Sequence, residues 1–186
     1  MAVEVTRRRF TADEYQEMGR AGILRKDDRV ELIDGEVLAM SPIGPPHIGT
    51  VNRLNHLFAR LVGDVAIVQV QLPVRLDPYS EPQPDLALLR PRADFYGTAA
   101  AGPDDVLLAI EVAQSSLAYD RNVKSSLYAR RGIAEYWIVY LIGGEVIRHT
   151  EPVDGRYQRV AAVPHDHEFA PSLLPGCVVT TRDILG

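Results

Sequence analysis

Apolar positions along the chain recur at two spacings, and the alternation between them predicts a helix, hairpin, helix, strands, helix, strands order. Thr11 with Glu14 three residues on forms a capping box, so a short helix is expected from Ala12 to Met18, stopping near Gly19 and Gly22. Arg29 to Met40 carries Asp34-Gly35 between two β-prone stretches and reads as a hairpin, with Glu31 on its first strand on the same face as Ile33. After the stiff Pro42, Gly44, Pro45, Pro46 loop, the pattern from His47 turns helical. Val51, Leu54, Leu57, Phe58, Leu61 and Val62 form its stripe and Gly63 its stop. Val65 to Leu76 reads as a strand interrupted by Pro73, Pro78 to Pro84 as a turn, and Asp85 to Leu89 as another strand. Pro91 to Asp105 reads as a loop with one turn of helix, Leu107 to Val112 as a buried strand, and Gln114-Ser115-Ser116 as a loop. Tyr119 to Arg131 is a helix closed by Gly132. Tyr136 to Ile142 then turns at Gly143-Gly144 into Glu145 to His149, and a last hairpin around Asp154-Gly155 precedes a Pro-containing tail. Such an order implies a mixed sheet with helices on its faces, an α/β (mixed α+β) single domain over residues 1–186 with its core in about 10–180.

Composition narrows the class. At 186 residues, 46% hydrophobic and 24% charged, the chain is an ordinary globular sequence with enough length for a full core. Its formal charge of -5 and pI near 5.5 argue against a protein that coats nucleic acid non-specifically, since such proteins carry a basic stripe. A nuclease whose metals neutralise its acids is compatible with that charge. The lone Cys177 cannot form an internal disulfide, and no stretch is apolar enough for a signal peptide or membrane span, so a cytoplasmic location without membrane contact is expected.

Against this background four polar residues, Glu31, Asp85, Glu111 and Lys124, stand in or just after strand-like stretches where charge is costly. Glu111 is the sharpest case, a carboxylate near the end of Leu107-Leu108-Ala109-Ile110-Glu111-Val112. Burying it unpaired would cost several kcal/mol or force it to neutralise. Two acids at strand ends with a lysine nearby suit a divalent-metal site for phosphodiester chemistry. Mg²⁺ takes hard oxygen ligands, one or two of them protein carboxylates. Asp85 and Glu111 would be those ligands, helped by the Val112 backbone carbonyl. Asp120, Lys124 and Tyr128 lie at i, i+4, i+8 on one helical face, which would let the ammonium approach the same point. Plainer readings exist for three of the four, and for Glu111 inside its apolar run the plain reading is weak. Glu31 fits a solvated strand end, Asp85 a turn acid after Pro84, and Lys124 a surface lysine paired to Asp120. His165-Asp166-His167 reads as a solvated loop rather than a transition-metal site, Arg7-Arg8-Arg9 as a solvated terminal run, and His47 as a helix-start residue with a phosphate or metal contact as the alternative.

Glu31-Leu-Ile-Asp-Gly-Glu36, Ser41-Pro-Ile-Gly44 with His47, and Pro82-Gln-Pro-Asp-Leu-Ala-Leu-Leu-Arg90 follow one another in order. Ile110-Glu-Val112, Tyr119-Asp-Arg-Asn-Val-Lys124, Tyr128-Ala-Arg-Arg-Gly-Ile133 and Glu135-Tyr-Trp-Ile-Val139 complete the series. Together they resemble the Uma-two family, grouped with restriction endonucleases in the PD-(D/E)XK phosphodiesterase superfamily, over roughly Phe10 to the C-terminus. The resemblance implies a restriction-endonuclease-like fold, a central mixed sheet flanked by helices. It implies Asp85 and Glu111 as metal acids, Glu31 as helping acid and Lys124 as the lysine. His47, Gln83, Asp120 and Tyr128 are the candidate supporting residues. The superfamily's lysine usually stands two residues after the glutamate, here Ala113, so in this chain the role moves to Lys124 on the next helix. Gln114 and Tyr140 stand where the resemblance implies acids, Ser125-Ser126 where it implies Leu-Pro, and Ala134 where it implies proline.

The leading expectation is a Mg²⁺- or Mn²⁺-dependent endonuclease that hydrolyses DNA phosphodiesters by in-line attack of a metal-activated water. Homodimerisation is expected because many members of the superfamily are dimers. The competing expectation is a non-catalytic oligomeric binding or assembly protein that keeps the fold, motivated by the acidic charge and the lack of a basic reading element.

Overall fold

A computed structural model describes residues 6–25 and 27–186 of the chain. Helix α1 (Ala12–Arg20) begins at the Thr11 capping box, both arms of which form. Strands β1 (Val30–Ile33) and β2 (Glu36–Ala39) make the hairpin, in register Glu31 opposite Leu38. Its turn places Asp34 at φ 49° and Gly35 at φ +82°, the pair of left-handed residues a tight two-residue hairpin requires. Helix α2 (Pro45–Val62) starts earlier than its apolar stripe suggests. The first helical positions need no N–H donor, so Pro45 and Pro46 are accepted there.

The central sheet has six strands in the order β3 (Ile67–Val70), β4 (Leu86–Leu89), β5 (Val106–Ala113), β6 (Glu135–Tyr140), β7 (Glu145–Val153) and β8 (Arg156–Ala162). Only β5 and β6 are parallel, joined by a crossover helix α3 over residues 117–130. The strand expected over Val65 to Leu76 is confined to β3. Gln71 turns to φ 48° and Pro73 has no N–H to pair, so the ladder ends. The tail is more ordered than expected. Strands β9 (Glu168–Phe169) and β10 (Val179–Thr180) pair, and Thr180 caps a last helix, α4 (Thr181–Leu185).

The period-two alternation of β5 divides the core between the two faces of the sheet. Leu108, Ile110 and Val112 pack with Val51, Leu54 and Phe58 of α2 and with Trp137 and the C-terminal tail. Ala109 and Ala113 pack on the other face, with Leu127 and Tyr128 of α3, Tyr136 and Ile138. Glu111 shares that second face, between two small residues, directly beneath α3. Among the described residues no helix is long and apolar enough to cross a membrane.

Candidate functional site

The site gathers where β4 begins and β5 ends, because these antiparallel neighbours bring the start of one to the finish of the other. Asp85 occupies the bend just before β4, and Glu111 lies two residues from the end of β5. The hairpin contributes Glu31 from one side and α3 contributes Lys124 from above. All four residues are buried, none more than 6% exposed. They share a cleft of about 490 Å³ with Asp120, His47, Tyr119 and the loop residues Ser41 and Pro42.

Asp85 is held at both oxygens. Its Oδ2 accepts from His47 Nε2 at 3.0 Å and from the Val112 N–H at 2.8 Å, while Oδ1 accepts from Gln71 Nε2 at 3.1 Å. Burial pushes this carboxyl up, but the His47, Val112 and Gln71 hydrogen bonds outweigh it and leave Asp85 below the usual carboxylate range. Asp85 therefore stays ionised. The same geometry orients Val112. The Ala113 carbonyl accepts from Leu141 on the β6 side, so by alternation the N–H and carbonyl of Val112 face the β4 side, toward Asp85.

Glu111 Oε1 accepts from Lys124 Nζ at 2.7 Å and from Tyr128 Oη at 3.0 Å. Burial, opposed by Lys124 but aided by the charges of Asp85, Asp120 and Glu31, drives the Glu111 carboxyl well above the ordinary range. Lys124 also lies 3.1 Å from Glu31 Oε2. Burial alone would lower its pKa, yet the two carboxylates dominate and hold it as an ammonium. Glu31 is completed by the Gln83 N–H at 3.2 Å and Tyr119 Oη at 3.2 Å, while Gln83 Nε2 reaches the Val30 carbonyl. Asp120 does not pair with Lys124. It accepts from Ser116 Oγ at 2.6 Å, and burial raises its carboxyl.

Lys124 reaches Glu111 because α3 is not a plain α-helix. It runs as Leu117–Tyr119, then a π turn over Asp120–Lys124, then Ser125–Arg130. Such a turn inserts an extra residue and re-aims the side chains around it, and π turns occur frequently at functional sites. Lys124 and Tyr128 thereby both point at Glu111.

Sequence reasoning brought Glu31, Asp85, Glu111, Lys124 and Tyr128 to one place, as they are found. His47 is corrected from helix-start residue to buried partner of Asp85. Helix α2 begins at Pro45, and its N-terminus has no side-chain cap. Lys124 is a buried ion-pair centre, so the plain reading of it as a surface lysine does not hold. Gln71 and Tyr119 were missed as site residues. Gln71 lies in the strand-like Val65 to Leu76 run, where a polar side chain is ordinary, and it reaches Asp85 from a left-handed position that no local motif marks; Tyr119 opens the segment leading to Lys124 with nothing local that points it at Glu31. His165 and His167 are exposed, as expected, and Asp166 pairs with Arg182. Gln114 lines the cleft, whereas Tyr140 packs over the Gly143 turn.

Among the described residues no three His, Cys, Asp or Glu side chains form a ready metal cage. What the site offers is two carboxylates and a main-chain carbonyl, with four buried acids lining the cleft beside Lys124 and Arg29. That donor set is all hard oxygen and suits Mg²⁺ or Mn²⁺, which retain several waters; it does not suit a thiol- or imidazole-loving ion.

No curated protein matches the chain. A solved structure from Anabaena variabilis ATCC 29413, described as a "putative nuclease belonging to DUF820", shares the fold. Its TM-score is 0.73 at 16% identity, over 95% of this chain and 97% of that one. The model of the Uma2 family, described as "Putative restriction endonuclease", matches residues 12–182, and the chain belongs to that family.

Proposed function

We propose that the chain is a divalent-metal-dependent endonuclease that hydrolyses DNA phosphodiesters by in-line attack of water. The observation that supports it best is the excess of buried carboxylate in one open cleft. Among the described residues Glu31, Asp85, Glu111 and Asp120 line the cleft with only Lys124 and Arg29 as fixed cations, a surplus of acid that a bound cation relieves. Held by Asp85, Glu111 and the Val112 carbonyl, Mg²⁺ or Mn²⁺ would supply Lewis acidity at the phosphate and lower the pKa of a coordinated water.

The protein's own part is positional. His47 and Gln71 fix the Asp85 carboxylate and keep it ionised. Glu31 shares the Lys124 ammonium with Glu111, leaving that ammonium between the acids and the open cleft, where it stabilises negative charge as it develops on the phosphate oxygens. Water oxygen bonds to phosphorus as it gives up a proton to solvent, the opposite P–O bond to the sugar breaks, and the departing oxygen takes up a proton from solvent. A single in-line displacement inverts the phosphorus, so a phosphorothioate linkage of one configuration cut in ¹⁸O water gives a product of inverted configuration. Incubation of the purified protein with supercoiled plasmid and with single-stranded DNA, in Mg²⁺ or Mn²⁺, tests the reading. Cleavage abolished by EDTA and carrying that stereochemistry supports it, and intact DNA under every condition refutes it.

A further inference from the structure

Arg29 lines the same cleft but stands outside the acid–lysine network. It precedes β1, and the Met40 N–H donates to its carbonyl at 2.8 Å, which extends the hairpin ladder by one residue. Alternation along that extended backbone puts Arg29 on the same side as Glu31, toward the cleft, while Val30 between them packs with Ala12 and Tyr15 of α1. Both oxygens of Glu31 are already taken by Lys124, Gln83 and Tyr119. Among the described residues no carboxylate lies within ion-pair distance of the Arg29 guanidinium, and its Nη1 is shut off from solvent with no hydrogen-bond partner. The residue as a whole is only partly buried and lines the cleft, so its guanidinium stands in the cleft wall as a cation without a protein counter-ion.

We propose that Arg29 is a substrate-binding residue that grips the non-bridging oxygens of a nucleic-acid phosphate beside the one being cleaved. The assignment rests on the nuclease reading of the site. A planar guanidinium presents a fork of donors that matches phosphate geometry, and in a chain of net charge -5 a dedicated arginine at the cleft answers how an acidic protein holds a polyanion.

Fluorescence anisotropy with a labelled 20-nucleotide single strand and its duplex, in Ca²⁺ over a salt series from about 50 to 200 mM, tests this for wild type, Arg29→Met and Arg29→Lys. Arg29→Met should bind about tenfold more weakly or worse. The slope of log affinity against log salt should fall by about 0.7 to 0.9, the share of one phosphate contact. Arg29→Lys should restore the slope without the full affinity. The melting temperature of Arg29→Met should stay level or rise, because an unpartnered donor has been removed, whereas a structural arginine would lower it. An unchanged slope in Arg29→Met, a lowered melting temperature, or no binding by the wild type overturns the assignment. Wild type that binds with the predicted slope change but cuts nothing in Mn²⁺ refutes the catalytic reading and leaves Arg29 as a phosphate contact. Cleavage with an unchanged slope does the reverse.

Discussion

Replacing Lys124 with methionine keeps the length of the stem and removes the charge that two buried carboxylates share. At about 3 Å and an effective dielectric of about 20, each attraction amounts to roughly 5 to 6 kcal/mol before the cost of burying the ammonium is set against it. The measured cost of deleting one member of a buried ionic group is about 3 to 5 kcal/mol, because the remaining charges stay buried without compensation. In a chain of 186 residues this corresponds to a fall in melting temperature of about 6 to 20 °C at pH 8. The loss has a pH signature. Burial already raises the Glu111 carboxyl, with Lys124 opposing, and without the ammonium it rises further. A carboxyl whose folded pKa exceeds its unfolded one contributes stability below the unfolded pKa and loses it as pH rises through the folded pKa. The deficit of Lys124→Met relative to wild type should therefore be greatest at pH 8 and shrink toward pH 5. Thermal denaturation at the two pH values measures this, and Mn²⁺-dependent plasmid cleavage should fall about 10²- to 10³-fold in the same variant. A deficit equal at both pH values, or cleavage at the wild-type rate, would refute the reasoning.

His47→Ala removes one of the three bonds that orient Asp85, so half-saturation of cleavage by Mn²⁺ should shift upward about 10- to 100-fold, read from a metal titration of the rate. His149, packed between Tyr136 and Tyr157, is held below its ordinary pKa of 6.5 by burial. The unfolded chain then binds the proton more readily, so wild-type stability should drop as pH falls below about 6.5, and His149→Phe should flatten that drop in melting curves from pH 7.5 to 5. Glu135 opens β6, at the opposite end of the sheet from Glu111. There it accepts from Arg148, Trp137 and Ser172, tying the C-terminal tail to the core. Glu135→Ala should cost about 3 to 5 kcal/mol in denaturant unfolding while the folded variant keeps wild-type cleavage.

Much of the fold could be read from the chain because local rules and tertiary packing agree. The Thr11 capping box, the Asp34-Gly35 turn and the stripe on α2 each specify their element with nearby residues alone. Glu111 was legible for the same reason in reverse, as a charge that breaks an otherwise apolar strand. The π turn in α3 was not legible, since nothing in Asp120-Arg-Asn-Val-Lys124 breaks a helical pattern, and the turn is held by what Lys124 and Tyr128 reach across the fold. Gln71, Tyr119 and the partnership of His47 with Asp85 depend on contacts 14 to 88 residues apart in sequence. No periodicity encodes such contacts. The paired strands β9 and β10 were missed because two-residue strands carry no alternation to detect.

The central claim, that Asp85 and Glu111 direct a divalent ion at a phosphodiester, is tested most directly by one cleavage assay. Wild type, Asp85→Asn and Glu111→Gln, purified identically and shown to be folded by circular dichroism, are compared on plasmid and single-stranded DNA across Mn²⁺ concentrations. The account predicts metal-dependent cleavage by the wild type and a loss of about 10³-fold or more in both variants. Equal cleavage by all three, or none by the wild type with any substrate and either metal, would contradict it.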